Sequence, residues 1–224
     1  MNLGVLFSGG KDSYLALQYA SEMHEISCLL TLESKKNDSW MFHTPAIKWT
    51  RLQAETMKIN HLVMPTSGVK DKELDDLRTI IKSAVLKYSI EGIVTGALAS
   101  VYQAIRIQRI CNDLNLWCFN PLWQMPQRIL LQEILSNDIK SIITGVAAEP
   151  FDDSWLGITI DSDCVNNLMT LEANYGINPA GEGGEIETFV IKAPLFTKTI
   201  QINKFEKTYS NFSGRLEIQE AILE

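Results

Sequence analysis

Residues 8–13 read SGGKDS, between an apolar run (Leu3, Val5, Phe7) and an amphipathic one that opens with Tyr14, Leu15, Leu17 and Gln18. The first run predicts a buried strand and the second a helix, so the six residues form a strand-to-helix turn. Amide groups that open a helix have no partner within it, and the helix dipole is positive at that end. Gly9 and Gly10 let a ligand approach the backbone with no Cβ in the way. Ser8 and Ser13 add hydroxyl donors and Lys11 a positive charge; the set suits an anion, a phosphate chain above all. A tight turn with Ser8 or Asp12 as an ordinary helix cap explains the same residues without a ligand. A second stretch, GEGGEIET, places Glu182, Glu185 and Glu187 among Gly181, Gly183 and Gly184. Carboxylates this dense repel one another unless a cation sits between them. The glycines imply a backbone that bends closely around something, while a solvated acidic turn is the alternative.

The elements that must position these stretches alternate in type. Residues 25–32 and 61–66 predict buried strands, with a helix over 45–57 between them. A long amphipathic helix over 70–88, a strand over 91–97, a helix over 100–114 and a strand over 116–122 follow. This rhythm predicts an α/β domain with a parallel sheet covered by helices, in which ligands bind beyond the carboxyl ends of the strands. SGGKDS and TGALAS (95–100) both fall at such ends. From about residue 124 the rhythm changes to a helix near 127–137, a strand near 140–148, a helix ending at Gly176, and three strand-like runs. The expected organisation is a Rossmann-like nucleotide-binding domain over 1–123 and a smaller mixed α+β domain over 124–224.

Hydrophobic residues make up 46% of the 224 and charged residues 21%, as in ordinary globular chains. A net charge of −7 argues against broad nucleic-acid or anionic-membrane binding. No apolar stretch is long enough to span a bilayer, and the N-terminus lacks the basic start of a signal peptide. Cys28, Cys111, Cys118 and Cys164 form no C-x-x-C pair and read as reduced, mostly buried thiols of a cytoplasmic protein, not as metal ligands.

SGGKDS is not a Walker loop, because Val5 stands where that motif needs a glycine, and it does not fit G-x-G-x-x-G. It resembles the PP-loop, S-G-G-x-D-[ST], of ATP pyrophosphatases. Four further stretches narrow the resemblance: SWMFHTPAIKWTRLQAE (39–55), GALASVYQAIRIQRIC (96–111), SWLG (154–157) and AGEGGEIETFVIKAPLF (180–196). Together they resemble the diphthine–ammonia ligase (diphthamide synthase) family from residue 3 to about 200.

The resemblance implies an AMP-forming amide ligase that converts the carboxylate of diphthine, a modified histidine of translation elongation factor, into the amide of diphthamide. ATP, Mg²⁺ and ammonium are the implied cofactors and co-substrate, and no direct nucleic-acid binding is expected. It implies that Ser8, Gly9, Gly10, Lys11, Asp12, Ser13, Gly96 and Ser100 bind ATP, with Asp12 a candidate metal ligand. Gly96 would allow close approach of the ribose or α-phosphate, and Ser100 would donate to the nucleotide or cap the next helix. Tyr102, Gln103 and Arg106 are candidate substrate contacts, and His43 a candidate proton shuttle. Glu182, Glu185 and Glu187 gain two candidate cations, ammonium and the trimethylammonium of diphthine, with Trp123, Trp155 and Tyr102 as possible aromatic faces and Trp117 assigned to the core. Two other readings compete: a tRNA-modifying PP-loop enzyme, and a non-catalytic nucleotide-binding module on the same fold.

Overall fold

The computed structural model describes residues 1–34, 46–67 and 70–224. Its contacts divide the chain into two units. One comprises Met1–Ser8, Asp12–His43 and Lys58–Trp123, the other Gly9–Lys11, Thr44–Met57 and Gln124–Glu224.

The first unit holds strands β1 (Asn2–Leu6), β2 (Glu25–Ser34), β3 (Asn60–Thr66), β4 (Gly92–Val94) and β5 (Trp117–Phe119). All four pairings are parallel, and the order is β3-β2-β1-β4-β5. Helices α1 (Lys11–Ser21), α3 (Lys70–Tyr88) and α4 (Val101–Asp113) connect these strands. Leu77, Ile80, Ile81 and Ala84 of α3 recur at helical spacing and pack with Ile107, Ile110 and Cys111 of α4 on Cys28, Leu30 and Ile93 of the sheet. Each such fully buried aliphatic side chain stabilises the fold by about 1.5–3 kcal/mol. Strand order reverses at β1, and in sheets of this kind ligands bind beyond the carboxyl ends of the strands at that point.

Two strands are shorter than their apolar runs predict. After β4 the Ala97 amide donates to Thr95 Oγ1 at 3.1 Å, which turns the chain out of the sheet. After β5 the Trp123 amide donates to Asn120 O at 3.0 Å around Pro121, which has no amide hydrogen for a ladder. Trp117 is a correction of another kind: assigned to the core from sequence, it is 66% exposed on the edge strand β5.

The second unit contains α2 (Thr50–Met57), α5 (Gln127–Ser136), β6 (Lys140–Ala147), α6 (Ser162–Tyr175), β7 (Ile186–Lys192), β8 (Ile200–Ser210) and β9 (Ser213–Leu223). Its sheet runs β7-β6-β9-β8 with every pair antiparallel. Strand β6 is buried on both faces, and α6 is capped by Asp161 at its start and stops at Gly176 in the left-handed region. The stretch from Ala46 to Met57 is fastened within this unit. Trp49 Nε1 donates to Ile218 O at 3.0 Å, Thr197 Oγ1 donates to Thr56 O at 2.7 Å, and the Lys198 amide donates to Thr56 Oγ1 at 2.8 Å.

Candidate active site

In the first unit, β1 delivers the chain to Ser8 at the carboxyl edge of the sheet. The exit is fixed by the Phe7 amide donating to Leu30 O at 2.9 Å and by Thr31 Oγ1 donating to Phe7 O at 2.7 Å. His61 Nε2 lies 2.8 Å from Thr31 Oγ1, and because that hydroxyl spends its proton on Phe7 O, Nε2 must be the donor. The Ser8 amide and hydroxyl both donate to Ser13 Oγ, at 3.3 and 3.2 Å, which folds the turn onto the opening of α1. Asp12 lies in the first helical turn, where the dipole favours a carboxylate.

The turn after β4 is built against this helix start. Thr95 Oγ1 donates to Asn120 Oδ1 at 2.7 Å and accepts from Ala97, which presents Gly96 to the backbone of α1. A Cβ at Gly96 would lie 2.8 Å from Ser13 N and 2.9 Å from Asp12 C. The side of Gly96 on which a Cβ would stand therefore faces the protein's own helix start. Ser100 caps α4, its Oγ accepting from the Gln103 amide at 3.4 Å. Arg106 stacks its guanidinium 3.4 Å from the centre of the Tyr102 ring and donates to Tyr102 O, so one face of that ring is already covered. Trp155, of the second unit, meets Phe151 edge-on, with ring centres 5.1 Å apart.

In the second unit, residues 9–11 are held along the edge strand β7. Gly9 O accepts from the Val190 amide at 2.9 Å and from Gln53 Nε2 at 2.9 Å, and the same Gln53 nitrogen donates to Val190 O at 2.7 Å. Gly9 has φ of +81°, and a Cβ there would meet Gln53 Oε1 at 2.5 Å. The bareness of this glycine thus serves a conformation and a close contact with Gln53, a fully buried residue that the sequence reading missed. The Lys11 amide donates to Thr188 Oγ1 at 3.1 Å, and Lys11 Nζ, nearly fully buried, donates to Ala180 O at 2.6 Å.

The acidic stretch bends around itself. The Gly181 amide donates to Asn178 O and the Gly184 amide to Gly181 O, giving two successive turns. Glu185 Oε1 accepts from the Asn178 amide at 3.1 Å and from Asn178 Nδ2 at 2.6 Å, while Oε2 is buried and takes no hydrogen bond among the described residues. A Cβ on Gly183 would meet both Glu185 oxygens and Asn178 Nδ2 within 2.9 Å, so the chain wraps this carboxylate–amide pair. Among the described residues no three His, Cys, Asp or Glu side chains group to hold a metal ion. His43 lies outside the described residues.

The thiols stand apart from these stretches. Burial pushes Cys28 up to about 12 and Cys164 up to about 11. The Cys111 thiol donates to Cys118; that bond raises Cys111, with burial adding to it, and lowers Cys118. Among the described residues no helix is long and apolar enough to cross a membrane.

Residues 1–117 match the family described as diphthamide synthase N-terminal domain, and residues 126–223 its C-terminal domain. A diphthine–ammonia ligase of Bos taurus is 37% identical over 226 residues, covering 92% of this chain and 84% of that protein. The Homo sapiens diphthine–ammonia ligase is 37% identical with the same coverage. That of Danio rerio is 33% identical, covering 90% of this chain and 86% of its own length. With both halves matched in order, this chain belongs to the diphthine–ammonia ligase (diphthamide synthase) family.

Proposed function

We propose that this chain catalyses the ATP-dependent amidation of diphthine on translation elongation factor to diphthamide, in the cytoplasm, through an acyl-adenylate. The observation that carries the reading is the SGGKDS turn, which opens α1 beyond the carboxyl end of β1 at the switch point of the sheet, in a member of this family. A helix start, two hydroxyls and a buried lysine form a donor set that fits a polyphosphate. Ser8, Gly9, Gly10, Lys11, Asp12 and Ser13 would hold the outer phosphates. Gly96 acts by letting β4 close on α1, and Ser100 by fixing the start of α4.

A carboxylate does not accept ammonia at neutral pH, because oxide is too poor a leaving group. In the proposed sequence a diphthine carboxylate oxygen attacks the α-phosphorus, the bond to the β-phosphate breaks, and pyrophosphate leaves. Ammonia then attacks the acyl carbon, the bond to AMP breaks, and the nitrogen gives up a proton. Lys11 and the helix start stabilise the charge on the departing pyrophosphate. Mg²⁺ would be held through phosphate oxygens and water, with Asp12 as protein ligand, and would neutralise developing phosphate charge. Glu185 is the preferred partner for ammonium, because its Oε2 is not committed to the Asn178 bonds. Glu182 and Glu187 add negative charge nearby in the chain, Tyr102, Gln103 and Arg106 are candidate contacts to the protein substrate, and residues 124–224 serve its recognition.

The test is incubation with ATP and diphthine-bearing elongation factor, with and without ammonium, following AMP and the conversion of acid to amide by mass. AMP that requires the elongation factor, together with amide that requires ammonium, supports the ligase. AMP formed on tRNA instead would support a tRNA-modifying enzyme, and no hydrolysis at all a nucleotide-binding module.

A further inference from the structure

A continuous line of hydrogen bonds joins Lys11 to Glu185 inside the second unit, through two residues to which neither the motifs nor the proposed chemistry gives a part. Lys11 Nζ donates to Ala180 O at 2.6 Å, and the amide of that same residue donates to Gln127 Oε1 at 2.9 Å. Gln127 Nε2 donates to Asn178 Oδ1 at 2.7 Å, and Asn178 Nδ2 donates to Glu185 Oε1 at 2.6 Å.

The line has one direction only. A backbone N–H can only donate, so the Gln127 atom facing Ala180 must be its oxygen. The Gln127 nitrogen is then turned to Asn178, whose facing atom must be its oxygen, and Asn178 is left to offer its amide hydrogens to Glu185. Reversing either amide would set two oxygens or two N–H groups face to face, which costs the full penalty of unmet polar groups. Gln127 is the first residue of α5, so a rigid element anchors the middle of the line.

We infer that Gln127 and Asn178 are positioning residues: through this relay they commit Glu185 Oε1 to the protein and leave Oε2 to receive ammonium. The inference rests on the proposed role of Glu185. Asn178 fixes the carboxylate, Gln127 fixes the orientation of the Asn178 amide, and Lys11 ties the same turn to the phosphate loop.

The experiment uses the full chain with ATP, diphthine-bearing elongation factor and ammonium chloride. Gln127→Glu keeps the acceptor for Ala180 but presents oxygen to Asn178, which should rotate the Asn178 amide away from Glu185. Both Gln127→Glu and Asn178→Ala should raise the KM for ammonium roughly tenfold or more, the scale of a lost hydrogen bond to a charged group. ATP–pyrophosphate exchange should stay within about threefold, because the phosphate turn keeps its own bonds to β7 and Gln53. The double variant should be no worse than Asn178→Ala, since the two act in series. Amide hydrogen exchange over residues 178–185 should quicken in both single variants. Unchanged exchange in both overturns the relay, whatever Glu185 does. Quicker exchange with an unchanged ammonium KM, while Glu185→Gln raises that KM, overturns the positioning role alone. If Glu185→Gln leaves the ammonium KM unaltered, the reading of Glu185 falls, and with it the purpose assigned to the relay. Should Asn178→Ala fail to fold, the milder Gln127→Glu carries the same outcomes.

Discussion

Substituting Gly96 with alanine separates two reasons for a bare backbone at that position. If the missing Cβ makes room for a nucleotide, the ligand-free protein should tolerate alanine and only ATP binding should suffer. In the structure the room is taken by the start of α1: a Cβ would stand 2.8 Å from Ser13 N, 2.9 Å from Asp12 C and 3.0 Å from Asp12 O. These are backbone atoms, which cannot swing aside as a side chain can. Ordinary contact begins near 3.4 Å, so the β4 turn and the helix start must separate by about 0.6 Å. Strain of this kind costs about 1–3 kcal/mol. For a chain of this size, about 2 kcal/mol lowers Tm by roughly 4–8 °C, readable by scanning fluorimetry without any ligand. The same displacement moves the phosphate-holding groups, and kcat/KM for ATP in the exchange assay should fall on the order of 10–100-fold. A ligand-free Tm within about 1 °C of the parent would refute the packing argument, and a raised KM for ATP beside it would return Gly96 to a ligand-facing role.

Two other perturbations have clear signs. Gln53→Met removes the donor shared by Gly9 O and Val190 O while keeping the volume; it should lower the stability measured by urea unfolding by about 1–3 kcal/mol, and Gln53→Glu, which faces those carbonyls with a carboxylate, should lower it further. Thiol alkylation at pH 8 should modify Cys118 first, because the bond from Cys111 lowers it and its side chain is only half-buried. Cys28 and Cys164, pushed up to about 12 and 11, stay protonated there, and their labelling should rise only as pH nears those values. Mass mapping that finds Cys28 modified as fast as Cys118 would contradict this order.

What could be read in advance follows from which signals are local. The period of Leu77, Ile81 and Ala84 gives α3, and Ser100 and Gly176 mark helix ends, because caps and periodicity act within a few residues. SGGKDS is legible for the same reason: strand, turn and helix start are consecutive. Gln53 is not, since its partners lie 44 and 137 residues away. A hint existed in α2, whose buried face carries Thr50, Gln53 and Thr56 where an apolar stripe would be usual, and polar groups on a buried face need partners. Gln127 and Asn178 left no such trace, being a helix-starting residue and a loop residue whose meeting depends on tertiary structure. Trp117 was misplaced because an apolar strand period cannot distinguish a central strand from an edge. Of the glycines in the acidic stretch, Gly183 packs on the Glu185–Asn178 pair, Gly181 packs on Ile186, and Gly184 serves only its left-handed conformation.

The makeup of the second unit bears on how this chain can be divided. Three separated stretches, around residues 9–11, 44–57 and 124–224, complete one another's hydrogen bonds, so no single scission yields two finished halves. A fragment ending at Trp123 would carry Gly9 without Val190, Thr56 without Lys198 and Trp49 without Ile218. Its complement would present β7 with a bare edge. Split versions of this protein should therefore be inert apart and recover their fold only when both pieces are expressed together.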